Sequence, residues 1–153
     1  MLLADILPTS YEVGVLASRV SPGDTVVIVG AGPIGLAAVM TARLFSLGHV
    51  IVIVIVVDPV ASRLDAAKRM GADIVIQNSV GAEDPAVLVA DITGGLGAHV
   101  VIEAAGLPET FELCTQLVRA GGHVANVGVH GAPRDPAPRD PVDQGHHDHN
   151  RSR

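Results

Sequence analysis

Gly30, Gly32 and Gly35 are the residues of this chain whose spacing could do chemistry. They stand in Val26-Val27-Ile28-Val29-Gly30-Ala31-Gly32-Pro33-Ile34-Gly35-Leu36. A β-rich apolar run feeds a G-x-G-x-x-G turn, and a helix-forming stretch opens at Pro33 and Ile34. The first glycine ends a strand in a tight turn, and the second lets the backbone close on a pyrophosphate. The third lets the helix pack closely on the sheet. Exposed N–H groups at the helix start, with the positive end of its dipole, suit phosphate oxygens. A turn serving only helix–sheet packing is the alternative. An acid belongs at the end of the next strand, and Asp58 stands there. Its carboxylate would accept hydrogen bonds from the adenosine ribose hydroxyls and repel a 2′-phosphate, which selects NAD over NADP. Pro59 and Val60 follow it, so no basic residue adjoins it to argue for NADP. Arg63 either steadies the adenosine end or caps a surface helix.

The remaining reactive side chains form no nucleophile constellation, and no catalytic residue is assigned. One cysteine, Cys114, excludes a disulfide framework or a cysteine zinc cluster within one chain. It is expected to be a small core residue. Glu103 is expected to hydrogen-bond structurally. A formal charge of −6 and the lack of a basic stripe argue against a nucleic-acid or anionic-membrane partner. Residues 50–57 are wholly apolar but too few to span a bilayer. Met1-Leu2-Leu3 runs directly into Asp5 without a signal peptide, so the expected location is the cytoplasm.

The elements that must position the glycine turn alternate regularly. A helical segment over residues 2–20 is expected to break near Pro8, with Thr9 or Ser10 capping its second part. Strands are predicted at 25–29, 50–57, 74–76, 99–102 and 123–127. Helices are predicted at 34–47, 62–70, 85–91 and 108–119, with Gly48 and Gly71 closing the first two. Gly121-Gly122 reads as the turn before the last strand. Strands alternating with single helices give an α/β fold, a doubly wound parallel sheet of about five strands with helices on both faces. After Gly131 the sequence Ala132-Pro133-Arg134-Asp135-Pro136 repeats as Ala137-Pro138-Arg139-Asp140-Pro141. With Val142 the only large aliphatic residue, residues 132–153 are expected to be disordered. His146, His147 and His149 read as part of a solvated tail rather than a metal site.

The ordered string of motifs resembles the nucleotide-binding half of the zinc-dependent, medium-chain alcohol dehydrogenases. It comprises Asp5-Ile6-Leu7-Pro8-Thr9-Ser10-Tyr11-Glu12, residues 30–35, Asp58 with Arg63-Leu64, and Ala67-Lys68-Arg69-Met70-Gly71-Ala72. Val101-Ile102-Glu103-Ala104-Ala105-Gly106, Thr110-Phe111-Glu112-Leu113-Cys114 and residues 121–131 continue it. The resemblance implies a Rossmann domain over 25–131, led by a helical segment over 1–24 from a catalytic domain absent here. It implies a parent reaction in which an alcohol passes hydride to NAD while zinc acts as Lewis acid on the oxygen. Zinc belongs to the parent; its cysteine and histidine ligands have no counterpart in this chain. Asp5 resembles a carboxylate third ligand of some members, but without partner ligands a helix or loop acid beside a domain boundary is the favoured reading. Thr9, Ala105 and Gly128 fall where the family surrounds the nicotinamide with backbone and small side chains, though packing explains each equally well; His130 is either near the ring or, by default, a loop histidine. The implied partner is a nicotinamide dinucleotide, with self-association through the domain edge.

Two departures bear on these expectations. Asp58 lies 23 positions after Gly35, where about twenty are usual for the motif. About four extra apolar residues would lengthen the second strand by roughly 13 Å without changing which face each side chain meets. The extra length is either absorbed before the strand or carries Asp58 past the ribose. The repeat after Gly131 replaces the family's continuation, as a shifted reading frame in GC-rich DNA would, and leaves the sheet incomplete at that edge. The chain alone is therefore expected to bind cofactor without turning over an alcohol. The alternatives are a non-catalytic dinucleotide-binding module and a non-functional gene remnant.

Overall fold

The structure is a computed structural model, and it describes residues 2–46 and 53–129. Gly48, the first residues of the lengthened apolar run, His130 and the repeat after Gly131 lie outside these residues. Five parallel strands form one sheet: β1 (Thr25–Val29), β2 (Ile53–Asp58), β3 (Ile74–Gln77), β4 (Ala98–Glu103) and β5 (Val118–Asn126). Their order is β3-β2-β1-β4-β5, the doubly wound arrangement, in which the connection direction reverses at β1.

Strand side chains alternate between two cores because their period is two. Val26, Ile28, Val56, Val100 and Ile102 face one core. That core is covered by the N-terminal helical segment, α2 (Pro33–Ala42) and α3 (Ala61–Arg69). Val27, Val29, Ile55, Val57 and Val101 face the other, beneath α4 (Pro85–Ile92) and α5 (Pro108–Leu117). Both faces are buried, so the strands read as continuous Val/Ile runs rather than alternating ones. Fully burying each such side chain is worth about 1.5–3 kcal/mol. Those two layers fix the sheet.

The N-terminal helix does not break at Pro8. α1 (Leu2–Thr9) contains Pro8 and runs straight into a π-helical segment, Ser10–Leu16. Thr9 has helical backbone angles (φ −60°, ψ −46°) and caps nothing. Pro8 lacks an N–H and crowds the carbonyl one turn back. The wider turns beyond it continue the coil, as where the Ala17 N–H donates to the Glu12 carbonyl at 2.9 Å. Ser10 is buried and donates to the Ile34 carbonyl at 2.8 Å, which ties this segment to the start of α2.

Other boundaries move for identifiable reasons. α2 stops at Ala42 and tightens into a 3₁₀ turn, Arg43–Phe45, where Arg43 reaches Asp73 at 3.0 Å. α5 ends at Leu117 and β5 begins at once, so Gly121-Gly122 lie inside the strand. Ala98 pairs with Val118 but Val100 with His123, and the surplus residues form a bulge. Within the described residues β2 starts at Ile53 and is in register with β1 from Thr25↔Ile53 to Val29↔Val57. β2 therefore ends level with the glycine turn, and Asp58 does not overshoot it.

Candidate functional site

The glycine turn joins β1 to α2, and its three glycines are glycine for different reasons. Gly30 has φ +104°, and a Cβ there would stand 3.0 Å from the Ala104 carbonyl carbon and the Ala105 nitrogen. A Cβ on Gly35 would overlap the Gly30 carbonyl oxygen. Contacts inside the protein explain both. Gly32 is different: its φ of −73° and ψ of −176° suit any residue. Nothing lies within 4 Å of where its Cβ would stand. Among the described residues, neither backbone strain nor a protein contact requires a glycine at Gly32.

Gly32 is also the N-cap of α2, with Pro33 at the first helical position and the Leu36 N–H donating to the Gly32 carbonyl at 2.9 Å. Helix geometry gives the N–H groups of Ile34 and Gly35 no acceptor within the helix. They and the helix dipole concentrate positive potential beside Gly32. Asp58 stands next to this turn, 3% exposed. Its Oδ2 accepts the Ala31 N–H at 2.7 Å, and its Oδ1 accepts the Val60 N–H at 2.8 Å. The more exposed Arg63 guanidinium lies 3.8 Å from Oδ2. Each carboxylate oxygen has a second lone pair beyond its backbone bond.

These groups border a cavity of about 520 Å³ at the carboxyl ends of the strands. Of the residues singled out in the sequence, Gly30, Gly32, Pro33, Asp58, Arg63 and Ala105 line it. Ile34, Gly35 and Gly128 do not: the Ile34 side chain packs on the core, Gly35 lies against the Gly30 carbonyl, and Gly128 packs on Glu103 and Gly106. Asn78, Leu107 and Thr110 also line the cavity. Asn78 and Leu107 belong to no motif, and Thr110 stands in a string that carries the resemblance but assigns it no role in a site. Their places, just after β3 and at the start of α5, are strand ends where ligands of such sheets bind.

Glu103 ends β4, fully buried. Its Oε1 accepts the Ala105 N–H at 2.9 Å, the Gly106 N–H at 2.8 Å and the Thr110 hydroxyl at 2.7 Å. Cys114 is wholly inside the core under α5. Burial, aided by the Glu103 charge, pushes its thiol from the ordinary 9.0 up to about 12. A thiol so placed is inert.

Asp5 lies on α1, exposed and away from the cavity, with the Thr9 hydroxyl donating to its Oδ1 at 3.3 Å. Among the described residues no group of three His, Cys, Asp or Glu side chains could hold a metal ion. A catalytic zinc needs three protein ligands, and the described residues do not fit one.

A parallel sheet in this order, with a cleft at its strand ends beside a glycine turn, defines a Rossmann-type α/β domain. A family model described as "Zinc-binding dehydrogenase" matches residues 33–148, a span that runs on into the repeat after Gly131. The chain belongs to that family. It is 37% identical over 122 residues to a sorbitol dehydrogenase of Bacillus subtilis, covering 78% of this chain and 33% of that protein. An alcohol dehydrogenase of Cupriavidus necator is 34% identical over 134 residues, 86% of this chain and 34% of its own length. Among solved structures, the apo zinc-dependent alcohol dehydrogenase 2 from Streptococcus pneumonia superimposes with a TM-score of 0.76 at 42% identity. It matches 86% of this chain, which covers 37% of that one. A zinc-binding dehydrogenase from Sinorhizobium meliloti 1021, solved bound to NADP, has a TM-score of 0.71 at 32% identity, with coverages of 87% and 37%. The chain thus spans about a third of the length of these relatives. No helix among the described residues is long and apolar enough to cross a membrane.

Proposed function

We propose that this chain binds a nicotinamide dinucleotide, NAD in preference to NADP, as the cofactor-holding part of a zinc-type alcohol dehydrogenase. The open space at Gly32 carries the reading. Neither backbone angle nor protein contact asks for glycine there, whereas a pyrophosphate seated on the start of α2 does. Ile34 and Gly35 would donate their N–H groups to its oxygens. Asp58, already held by Ala31 and Val60, would offer its remaining lone pairs to the ribose hydroxyls. A 2′-phosphate would bring two further negative charges against this buried carboxylate. Arg63 favours a second reading, because an exposed guanidinium beside that ribose is a phosphate ligand.

A bound nicotinamide cofactor supplies a hydride acceptor for alcohol oxidation. This chain's contribution is to hold and orient it, with residues 25–131 as the binding unit and 1–24 as the lead-in. Catalysis is assigned to the part of the relatives that this chain does not span. Self-association along the domain edge in the cytoplasm belongs to the same proposal, and light scattering on the eluting protein reads it. The cofactor reading is tested by titrating the chain with NADH and NADPH and following nicotinamide fluorescence. Saturable NADH binding at least tenfold tighter than NADPH supports it. Tighter NADPH binding transfers the assignment to Arg63. Binding of neither by folded protein ends it and leaves a domain related to dehydrogenases by descent alone.

A further inference from the structure

We propose that Glu103 is a positioning residue, whose carboxylate holds the β4–α5 turn as one wall of the cofactor cleft; the inference rests on the dinucleotide reading. Three segments meet at this residue. Its Oε1 takes the N–H groups of Ala105 and Gly106 and the Thr110 hydroxyl. Its backbone carbonyl accepts the Val127 N–H at 2.9 Å and the Gly128 N–H at 3.0 Å, which fixes the segment after β5. The Ala105 nitrogen that it holds sits against Gly30, where a Cβ would come within 3.0 Å. The wall is thereby set against the glycine turn as well.

The side chain is aimed at the turn rather than at the cavity. Ala105, Leu107 and Thr110 line the cavity, and Glu103 does not. Hydrogen bonds to an ionised acceptor are shorter and about twice as strong as neutral ones. A carboxylate can therefore hold two adjacent N–H groups that would otherwise point loosely out of a four-residue connection. The Thr110 hydroxyl also lies 2.8 Å from the Leu107 carbonyl oxygen and accepts the Leu107 N–H at 3.3 Å. The order imposed at Glu103 is so passed to the first residues of α5. Gly128 completes the arrangement. A Cβ there would overlap Glu103 Oε2 and the Gly106 nitrogen, so only glycine lets the two loops close on each other.

Hydrogen exchange at the Ala105 and Gly106 amides, read by NMR on the full chain together with NADH affinity, tests the proposal in Glu103→Gln and Thr110→Val. Amides of β1 serve as the measure of global opening. Both variants are expected to speed exchange at Ala105 and Gly106, by at least tenfold in Glu103→Gln, with β1 protection retained. NADH binding is expected to weaken at least tenfold in Glu103→Gln, which removes the acceptor's charge, and about threefold in Thr110→Val, which removes a neutral hydroxyl. Thr110→Val keeps the test alive if Glu103→Gln fails to fold. Unchanged exchange, or faster exchange with unchanged NADH affinity, overturns the positioning role. A wild-type chain with protected Ala105 and Gly106 amides that binds no NADH overturns the cofactor reading itself, and with it this one.

Discussion

On the proposed reading Asp58 and Arg63 would set opposite cofactor preferences at one end of the cleft, and substitution separates them. Asp58→Asn keeps the side chain's shape but removes its charge, so the preference for NADH over NADPH is expected to narrow about tenfold. The amide nitrogen must then face either the Ala31 or the Val60 N–H, at a cost of about 1–3 kcal/mol. Competitive titration and urea unfolding read the two effects separately. Arg63→Ala is expected to weaken NADPH more than NADH. Cys114 supplies a prediction independent of cofactor. The folded thiol, raised to about 12 from 9.0, keeps its proton at alkaline pH values where the unfolded thiol has lost it. The folded state then holds more protons, so stability is intact below pH 9 and falls above it, by up to about 1.4 kcal/mol per unit. Urea midpoints from pH 8 to 11 should show this fall, and Cys114→Ala should flatten it. A thiol reagent at pH 8 should label Cys114 only after unfolding.

Elements were legible wherever one interaction decides them. β1 is found at residues 25–29 as the Val/Ile run requires, and α3 opens and closes within one residue of its reading, since Gly71 takes the left-handed turn after it (φ +109°). The misreadings share a cause: local signals were outweighed by tertiary contacts. Pro8 marks a break by itself, yet Ser10 bonding to Ile34 holds the coil together through it. Gly121-Gly122 marks a turn, yet pairing with β4 on both sides draws it into β5 as a bulge. The places of the glycine turn between β1 and α2 and of Asp58 at the end of β2 were legible from the strand–turn–helix pattern. Asn78, Leu107 and Thr110 were not, because only the fold brings strand ends together. Asp84 was a missed cap: its side chain accepts the Ala86 N–H at 2.9 Å, one residue before Pro85. Asp84→Ala is expected to cost about 1 kcal/mol, read from the urea midpoint, without changing NADH affinity.

At the scale of the molecule, the domain is held by two apolar layers and a sheet whose strand ends converge on one cleft. The matched relatives carry roughly twice as much chain again beyond the part matched here; on the proposed reading this chain holds cofactor and leaves alcohol chemistry elsewhere. Binding should then stabilise the fold by mass action, about 2.7 kcal/mol at a ligand concentration one hundred times Kd. A rise in melting temperature with NADH would show it. The most direct measurement is the NADH affinity of Gly32→Val beside the wild type, with circular dichroism confirming the fold of each. Valine suits the Gly32 backbone angles, and its Cβ would have no protein atom within 4 Å, so the variant is expected to fold. The expected result is saturable binding by the wild type and at least a hundredfold weaker binding by the variant, because the side chain occupies the pyrophosphate's place. Equal affinity in the two would contradict the account, since the space at Gly32 would then serve no ligand.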